Sequence, residues 1–304
     1  SLGSRRAATL KINPHSNKTT QVYMIDLHEI IASTRDYNFH SHTQFCDGRE
    51  TMAAMVQQAI SCGMKHYGFS PHSPIPLPSP CNMSALSVDE YVAEFNRLKE
   101  LYDGRINLYL SMEIDFLGDK WGASDPYFDT VPLDYRLSSV HFISSPDGTE
   151  VDVDGRPGQF KGKMETYFDN DIRYVVDSFY ERTLQMIEKG GFHMLGHFDK
   201  IGFNASSFSP GIEDEPWYRR HIDDVIDAVR DTDIIVEINT KAYPAPVGAS
   251  AEEVAGYVSR LFPSPNVIRR LVSAGIPLAV NSDAHYSSRI TAGREEALAI
   301  IDGK

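Results

Sequence analysis

Histidines and carboxylates recur in this chain where β-type runs end. The first group is His40-Ser41-His42. Side chains along a strand alternate with period two, so both imidazoles of an H-x-H pair project from the same side. Asp47, His72, Glu113, His141 and His197 follow, and then the pair Asp283-x-His285, each beside a β-type run. A set of imidazoles and carboxylates without thiolates suits zinc, manganese or iron engaged in hydrolysis. Singly, each residue has an ordinary explanation. His72 reads as a loop residue, His141 as a strand residue facing a polar pocket, Glu113 and Asp115 as an ion-paired couple, and Asp283 with His285 as a turn. Jointly they are harder to explain away, because buried carboxylates and imidazoles are costly without partners. A metal cluster is a partner common to all of them. His15, His28, His66, His193 and His221 fall outside the pattern and are read as structural.

The elements that must position these residues alternate between strand and helix. Strands are expected at Asp36–His42, Lys65–Ser70, Asn107–Asp115, Leu137–Ile143, Phe192–His197, Ile234–Asn239 and Ile276–Ser282. Met52, Met55, Val56 and Ala59 share one face of a helix after the first strand. Ser87-x-x-Glu90 and Ser250-x-x-Glu253 read as capping boxes opening two more helices. Further helices are expected over Met164–Lys189, Glu213–Arg230, Asn266–Ala274 and Thr291–Ile301. Pro74–Pro80 and the glycine-rich Gly148–Gly162 read as loops. Strands alternating with helices imply a parallel sheet. No glycine-rich phosphate loop follows the first strand, which disfavours an open nucleotide-binding sheet. Catalytic residues at the C-terminal ends of several strands are the habit of a β/α barrel. The expectation is therefore an α/β fold, a distorted (β/α)7 barrel over residues 36–304, preceded by an extension over residues 1–35.

Composition narrows the chemistry. The 304 residues are 41% hydrophobic, ample for a core, and none of the apolar runs approaches a membrane span. The polar first residues hold no apolar stretch of signal-peptide type. Three cysteines without C-x-x-C spacing fit a reducing cytoplasm. Cys46, close to His42 and Asp47, reads as a small half-buried residue before it reads as a ligand or nucleophile. A formal net charge of −13 counts against nonspecific nucleic-acid binding. It leaves a phosphate substrate open, because bound cations reverse the local sign.

The motifs His40-Ser41-His42-Thr43 with Cys46-Asp47-Gly48, Gly68-Phe69-Ser70-Pro71-His72, Ser139-Val140-His141, Gly196-His197-Phe198-Asp199-Lys200 and Asn281-Ser282-Asp283-Ala284-His285, in this order, resemble the polymerase-and-histidinol-phosphatase (PHP) superfamily. Within it they are most similar to the histidinol-phosphatase branch, from about residue 36 to the C-terminus. The resemblance implies a distorted (β/α)7 barrel with three divalent metal ions, zinc first, with manganese or iron admitted by the same ligands. It implies His40, His42, Glu113 and Asp283 on one metal. Glu113 would bridge to a second metal that also takes His141 and His197, and a third would take Asp47, His72 and His285. The implied activity is hydrolysis of L-histidinol phosphate, a small-molecule phosphate ester, to L-histidinol and phosphate, by in-line attack of a metal-bridging hydroxide. Hydrolysis of another phosphate ester and a metal-binding regulatory module without turnover are the competing expectations. Asp115 and Asp199, each two residues after a proposed ligand, are candidates to orient the histidines; Asp199 serves equally well as a helix cap. For the phosphate, Arg289 is the first candidate. Lys241, Asn239, Lys200 and Arg156 follow, with Lys161 and Lys163 in the same loop as Arg156.

Overall fold

Parallel pairing joins the strands within each of two sheets, and the ligand-type residues follow the ends of strands, except Glu113, which begins one. A computed structural model describes residues 25–243 and 259–304. Three strands, β1 (Tyr37–Asn38), β2 (His66–Phe69) and β3 (Asn107–Leu110), form one parallel sheet in that order. A second parallel sheet has the order β10 (Leu278–Asn281), β9 (Ile235–Asn239), β8 (Met194–Leu195), β5 (Leu137–Ser139), β4 (Glu113–Asp115). The expected strand Asn107–Asp115 is thus divided at Ser111-Met112, with its two halves in different sheets.

Side chains stitch the first strand to the last. Asn38 Oδ1 accepts from Ser282 N at 2.7 Å, and Asn281 Oδ1 accepts from Phe39 N at 2.9 Å. The backbone adds His42 N to Ala284 O at 2.9 Å. Both asparagines are fully or almost fully buried, where an amide without partners would cost a few kcal/mol, about 1–3. These bonds hold the His40/His42 and Asp283/His285 segments side by side.

Helices cover the sheets with the expected apolar stripes. In α2 (Met52–Ser61) Met52, Met55, Val56 and Ala59 are all buried, and Thr51 caps the start through its side chain. In α3 (Val88–Leu101) the buried face holds Tyr91, Phe95 and Leu98. Ser87 makes no capping bond there; Ser84 caps the short 3-10 turn Ala85–Ser87 that leads into the helix. The other expected box, Ser250 with Glu253, lies outside the described residues. In α7 (Pro216–Arg230) Tyr218, Ile222, Val225, Ile226 and Val229 are buried, each contributing about 1.5–3 kcal/mol of apolar burial.

Two expectations are corrected. Gly148–Gly162 is not a loop throughout: β6 (Phe142–Ser144) and β7 (Glu150–Asp152) pair antiparallel as a hairpin, and α4 (Pro157–Tyr167) begins inside the glycine-rich stretch. Pro157 at the first helical position explains the start, since its missing N–H would be unsatisfied there anyway. The helical stretch Met164–Lys189 is broken, with α5 running over Ile172–Lys189. Asp169 and Asn170 between them take positive φ, 48° and 59°, and Asp171 caps α5 through Tyr174 N. The extension before residue 36 also contributes structure. The helix α1 (Leu27–Ser33) buries Leu27 in a cluster with Tyr37, Phe39, Tyr135 and Met194.

Candidate metal centre

All nine ligand-type residues converge in one place. Glu113, at the start of β4 and 1% exposed, lies at the centre. Its Oε1 is 2.9 Å from His197 Nε2 and 3.3 Å from His141 Nε2. Its Oε2 is 3.2 Å from His40 Nε2, 3.5 Å from His42 Nε2 and 3.2 Å from His72 Nδ1. Asp283 Oδ1 approaches His42 Nε2 at 3.0 Å. Asp47 Oδ1 approaches His285 Nε2 at 3.2 Å and His42 Nδ1 at 3.5 Å. Among the described residues three groups have ligand atoms close enough for one cation each: His42, Asp47, His72 and His285; His40, His42 and Glu113; His72, Glu113 and His141.

The chemistry of these atoms fits a bound cation. Asp47 Oδ1, His72 Nδ1, Glu113 Oε2, His141 Nε2 and Asp283 Oδ1 are buried without a hydrogen bond, although they lie close to one another. His40 Nε2 and His42 Nε2 face each other at 3.2 Å, where at most one proton fits between them. Native interiors rarely leave so many polar atoms unsatisfied together; a divalent ion satisfies acceptors of this kind at once. Two ligand positions also carry unusual backbone. Asp283 has φ 48° and His197 φ 20°, a region that side chains other than glycine rarely adopt and that clusters at functional sites.

The electrostatics point the same way. Burial alone would depress the His40 imidazole, but Glu237, Asp283 and Glu113 carry it well above the ordinary histidine value. Burial likewise opposes the charged form of His141, and Glu113 with Asp115 raises it well above that value. Burial would push the Glu113 carboxyl up, yet His40, His141 and His72 hold it well below the usual range. Carboxylates that favour positive charge on their neighbours will favour a metal in place of the protons. His40 and His141 therefore hold protons in the metal-free protein to higher pH than free histidine. Metal uptake must displace them, so zinc affinity should go on rising with pH above the ordinary histidine value, with release of protons. Titration calorimetry in buffers of different ionisation enthalpy measures both quantities. A flat affinity without proton release would contradict the protonated cluster.

Outer contacts orient the imidazoles. Asp115 Oδ1 lies 2.6 Å from His141 Nδ1, and Asn82 Nδ2 donates to the other oxygen of Asp115 at 2.8 Å. Asp199 is placed differently from its expected partnership with the histidines. It accepts from Ser264 N at 2.9 Å and meets Arg260 Nη2 at 3.4 Å, and it does not cap α6 (Ile201–Phe208). Burial pushes its carboxyl up to about 7 in spite of Arg260.

Glu237 on β9 is the residue that the sequence reading passed over. Fully buried, it sets Oε1 2.7 Å from His40 Nδ1 and accepts from Asn281 Nδ2 at 3.0 Å. Its Oε2 accepts from His197 N at 3.0 Å and Asn239 Nδ2 at 3.1 Å. The signal was present: a carboxylate in the middle of Ile234-Ile235-Val236-Glu237-Ile238 interrupts a continuous apolar strand.

The basic candidates separate. Lys241 Nζ stands 3.3 Å from Asp283 Oδ1 and 3.4 Å from His285 Nε2, within the cluster. Lys200 Nζ donates to Asp154 Oδ2 at 2.7 Å. Asn239 is fully buried and donates to Asp283 Oδ2 at 3.0 Å as well as to Glu237, so it holds a ligand-type carboxylate in place. Arg289 donates to the Lys241 carbonyl oxygen at 3.3 Å. Arg156 lies exposed at the start of α4. Over the cluster opens a cavity of about 550 Å³, whose walls include Asp47, His72, His141, Phe142, Asp152 and Lys241. A larger cavity, about 750 Å³, lies behind Asp199. Among its charged groups Arg260 pairs with Glu213 and Arg219 with Asp214, while Arg270 pairs with Asp223 outside the cavity wall. The three cysteines are unpaired, and Cys46 Sγ lies 3.4 Å from His42 Nδ1. Burial pushes the Cys46 thiol up to about 12, which keeps it protonated rather than nucleophilic. Among the described residues no helix is long and apolar enough to cross a membrane.

Comparison with known proteins gives a consistent picture. The family model described as the PHP domain matches residues 38–241. A protein of Deinococcus radiodurans named "Probable histidinol-phosphatase" is 23% identical over 257 residues, 83% of this chain and 86% of that protein. The crystal structure of hisK from Listeria monocytogenes superposes with a TM-score of 0.72 at 18% identity, over 86% of this chain and 99% of that one. The histidinol phosphate phosphatase (HISK) of Lactococcus lactis, complexed with zinc, L-histidinol and phosphate, superposes with a TM-score of 0.64 at 17% identity, over 88% of this chain and 93% of that one.

Proposed function

The chain belongs to the PHP domain family, and on that premise we propose that it is a metal-dependent phosphatase hydrolysing L-histidinol phosphate to L-histidinol and phosphate. The observation that carries this reading is the convergence of nine imidazoles and carboxylates, five of them with buried ligand atoms that lack a hydrogen bond. The substrate comes from the relatives: the Deinococcus radiodurans protein bears the name of that activity, and the Lactococcus lactis structure holds the product alcohol with zinc and phosphate.

In this reading His40, His42, Glu113 and Asp283 would hold one divalent ion, Glu113, His141 and His197 a second, and Asp47, His72 and His285 a third. Zinc is the first choice, and availability decides between it and manganese or iron. Bound divalent metals supply Lewis-acid charge for the phosphoryl oxygens and lower the pKa of water towards ~7. The chain's own residues do the rest. Asp115 and Glu237 fix the tautomer and direction of His141 and His40. Burial raises the cost of charge on Lys241, but Asp283 keeps its ammonium protonated beside the cluster, where it meets a phosphoryl oxygen as a point charge. The hairpin β6–β7 and the Ser79–Asn82 segment wall the cavity and limit water. The strand order, with side chains joining β10 to β1, supports a distorted seven-unit barrel built as one domain from about residue 36. Three unpaired thiols suit a reducing cytoplasm.

The test is phosphate release from L-histidinol phosphate by protein of measured metal content, beside a panel of other monoesters. A kcat/KM of about 10⁴ M⁻¹s⁻¹ or more, ahead of the panel, lost on chelation and restored by zinc, is expected. Activity without that preference would keep the metal chemistry and remove the substrate. A metal-loaded protein inert towards every ester would leave a binding module.

A further inference from the structure

Acidic side chains in the wall of a phosphatase cavity are unexpected, because a phosphate monoester arrives as an anion. Three carboxylates line the cavity above His72 and His141 and need an account: Asp47, Asp152 and Asp154. Asp47 belongs to the ligand set. Asp154 is neutralised by Lys200, whose Nζ donates to it at 2.7 Å. Asp152 is different. Its Oδ1 accepts from Asp154 N at 2.8 Å, which holds the side chain in place at the end of β7. Among the described residues its Oδ2 has only Lys163 Nζ near it, at 3.8 Å, beyond hydrogen-bonding distance and with both side chains partly exposed. Such a pair is weak. His72 and His141, two residues of the candidate metal centre, line the same cavity, so a phosphate ester held at that centre would sit in it. Phe142 and Pro80 supply apolar wall beside Asp152.

We infer that Asp152 is a cation subsite: it recognises an ammonium group carried on the alcohol portion of the phosphate ester, with the carbon skeleton against Phe142 and Pro80. The inference rests on the phosphatase reading above and adds the residue that selects aminated esters. A carboxylate held by its own hairpin loses little freedom on binding, and a charge-assisted hydrogen bond to an ammonium is stronger than one between neutral groups. Towards an ester without the amine the same carboxylate offers only repulsion, which is how a site rejects the wrong ligand.

The experiment compares kcat/KM for L-histidinol phosphate and for its analogue lacking the amine, 3-(imidazol-4-yl)propyl phosphate, in the zinc-loaded full chain. The wild-type protein should prefer the aminated ester. Asp152→Asn keeps the bond to Asp154 N and should lower the ratio of the two values by about 10–100-fold, mainly through KM. Lys163→Met removes the nearest competing cation and should move the ratio the other way. Both variants are checked by thermal melting. A ratio that Asp152→Asn leaves unchanged overturns the subsite, and so does a wild-type protein that hydrolyses both esters alike, with the phosphatase reading intact in either case. A wild-type protein that hydrolyses neither ester removes the phosphatase reading and the subsite together.

Discussion

Replacement of Glu113 by glutamine is expected to lower kcat by about 10³-fold, or about 4 kcal/mol of transition-state stabilisation, and to reduce the zinc bound per chain. The two side chains are nearly equal in volume, so the loss reports charge and not packing. The Glu113 carboxylate faces five imidazoles, with His197 Nε2 at 2.9 Å, His40 Nε2 and His72 Nδ1 each at 3.2 Å, His141 Nε2 at 3.3 Å and His42 Nε2 at 3.5 Å. An amide offers one acceptor in place of two anionic oxygens, and its NH₂ would point at nitrogens that must themselves bind metal. Emission spectrometry of the purified variant gives the metal content, and phosphate release gives kcat. Full metal content together with a kcat within a few-fold of wild type would mean that Glu113 is not a ligand.

Glu237→Gln is expected to weaken zinc binding by about 10–100-fold, the usual cost of removing a carboxylate behind a metal-ligating histidine. The Glu237 side chain is not among the candidate ligands. It works through His40, holding Nδ1 at 2.7 Å so that Nε2 points at Glu113, and it also ties His197 N, Asn239 and Asn281 together. The readout is therefore zinc affinity by chelator competition, followed by activity at saturating zinc. Recovery of most activity when zinc is in excess is the expected signature of a positioning residue. Unchanged affinity with lost activity would place Glu237 in the reaction itself, and unchanged affinity with a lowered melting temperature would assign it to packing alone.

The ligand-type residues were legible because they obey a local rule. In a β/α alternation each strand delivers its last residues to one end of the sheet, so a histidine or carboxylate closing a run such as Ser139-Val140-His141 is directed there by the strand itself. The helix stripes of α2 and α3 were legible for the same kind of reason, a period of 3.6 carried within about ten residues. The hairpin β6–β7 was not. Its strands are three residues each: β6 overlaps the end of the expected strand Leu137–Ile143, and β7 lies in a stretch whose glycines read as a loop; strands this short carry little periodic signal. Its wall residue Asp152 was invisible for the same reason.

Glu237 marks the boundary between the two kinds of information. A lone acid inside an apolar strand announces that a partner exists, but the partner is His40, 197 positions away. By itself the sequence determined which residues are ligand-type, at which strand ends they lie and therefore which chemistry they suit, because strand and helix periods act over a few residues. Only the tertiary structure decided which oxygen faces which nitrogen, which lysine reaches the cluster and which carboxylate is left facing the cavity. Those contacts join segments far apart in the chain, and their geometry is set by how the sheets pack and not by any local repeat.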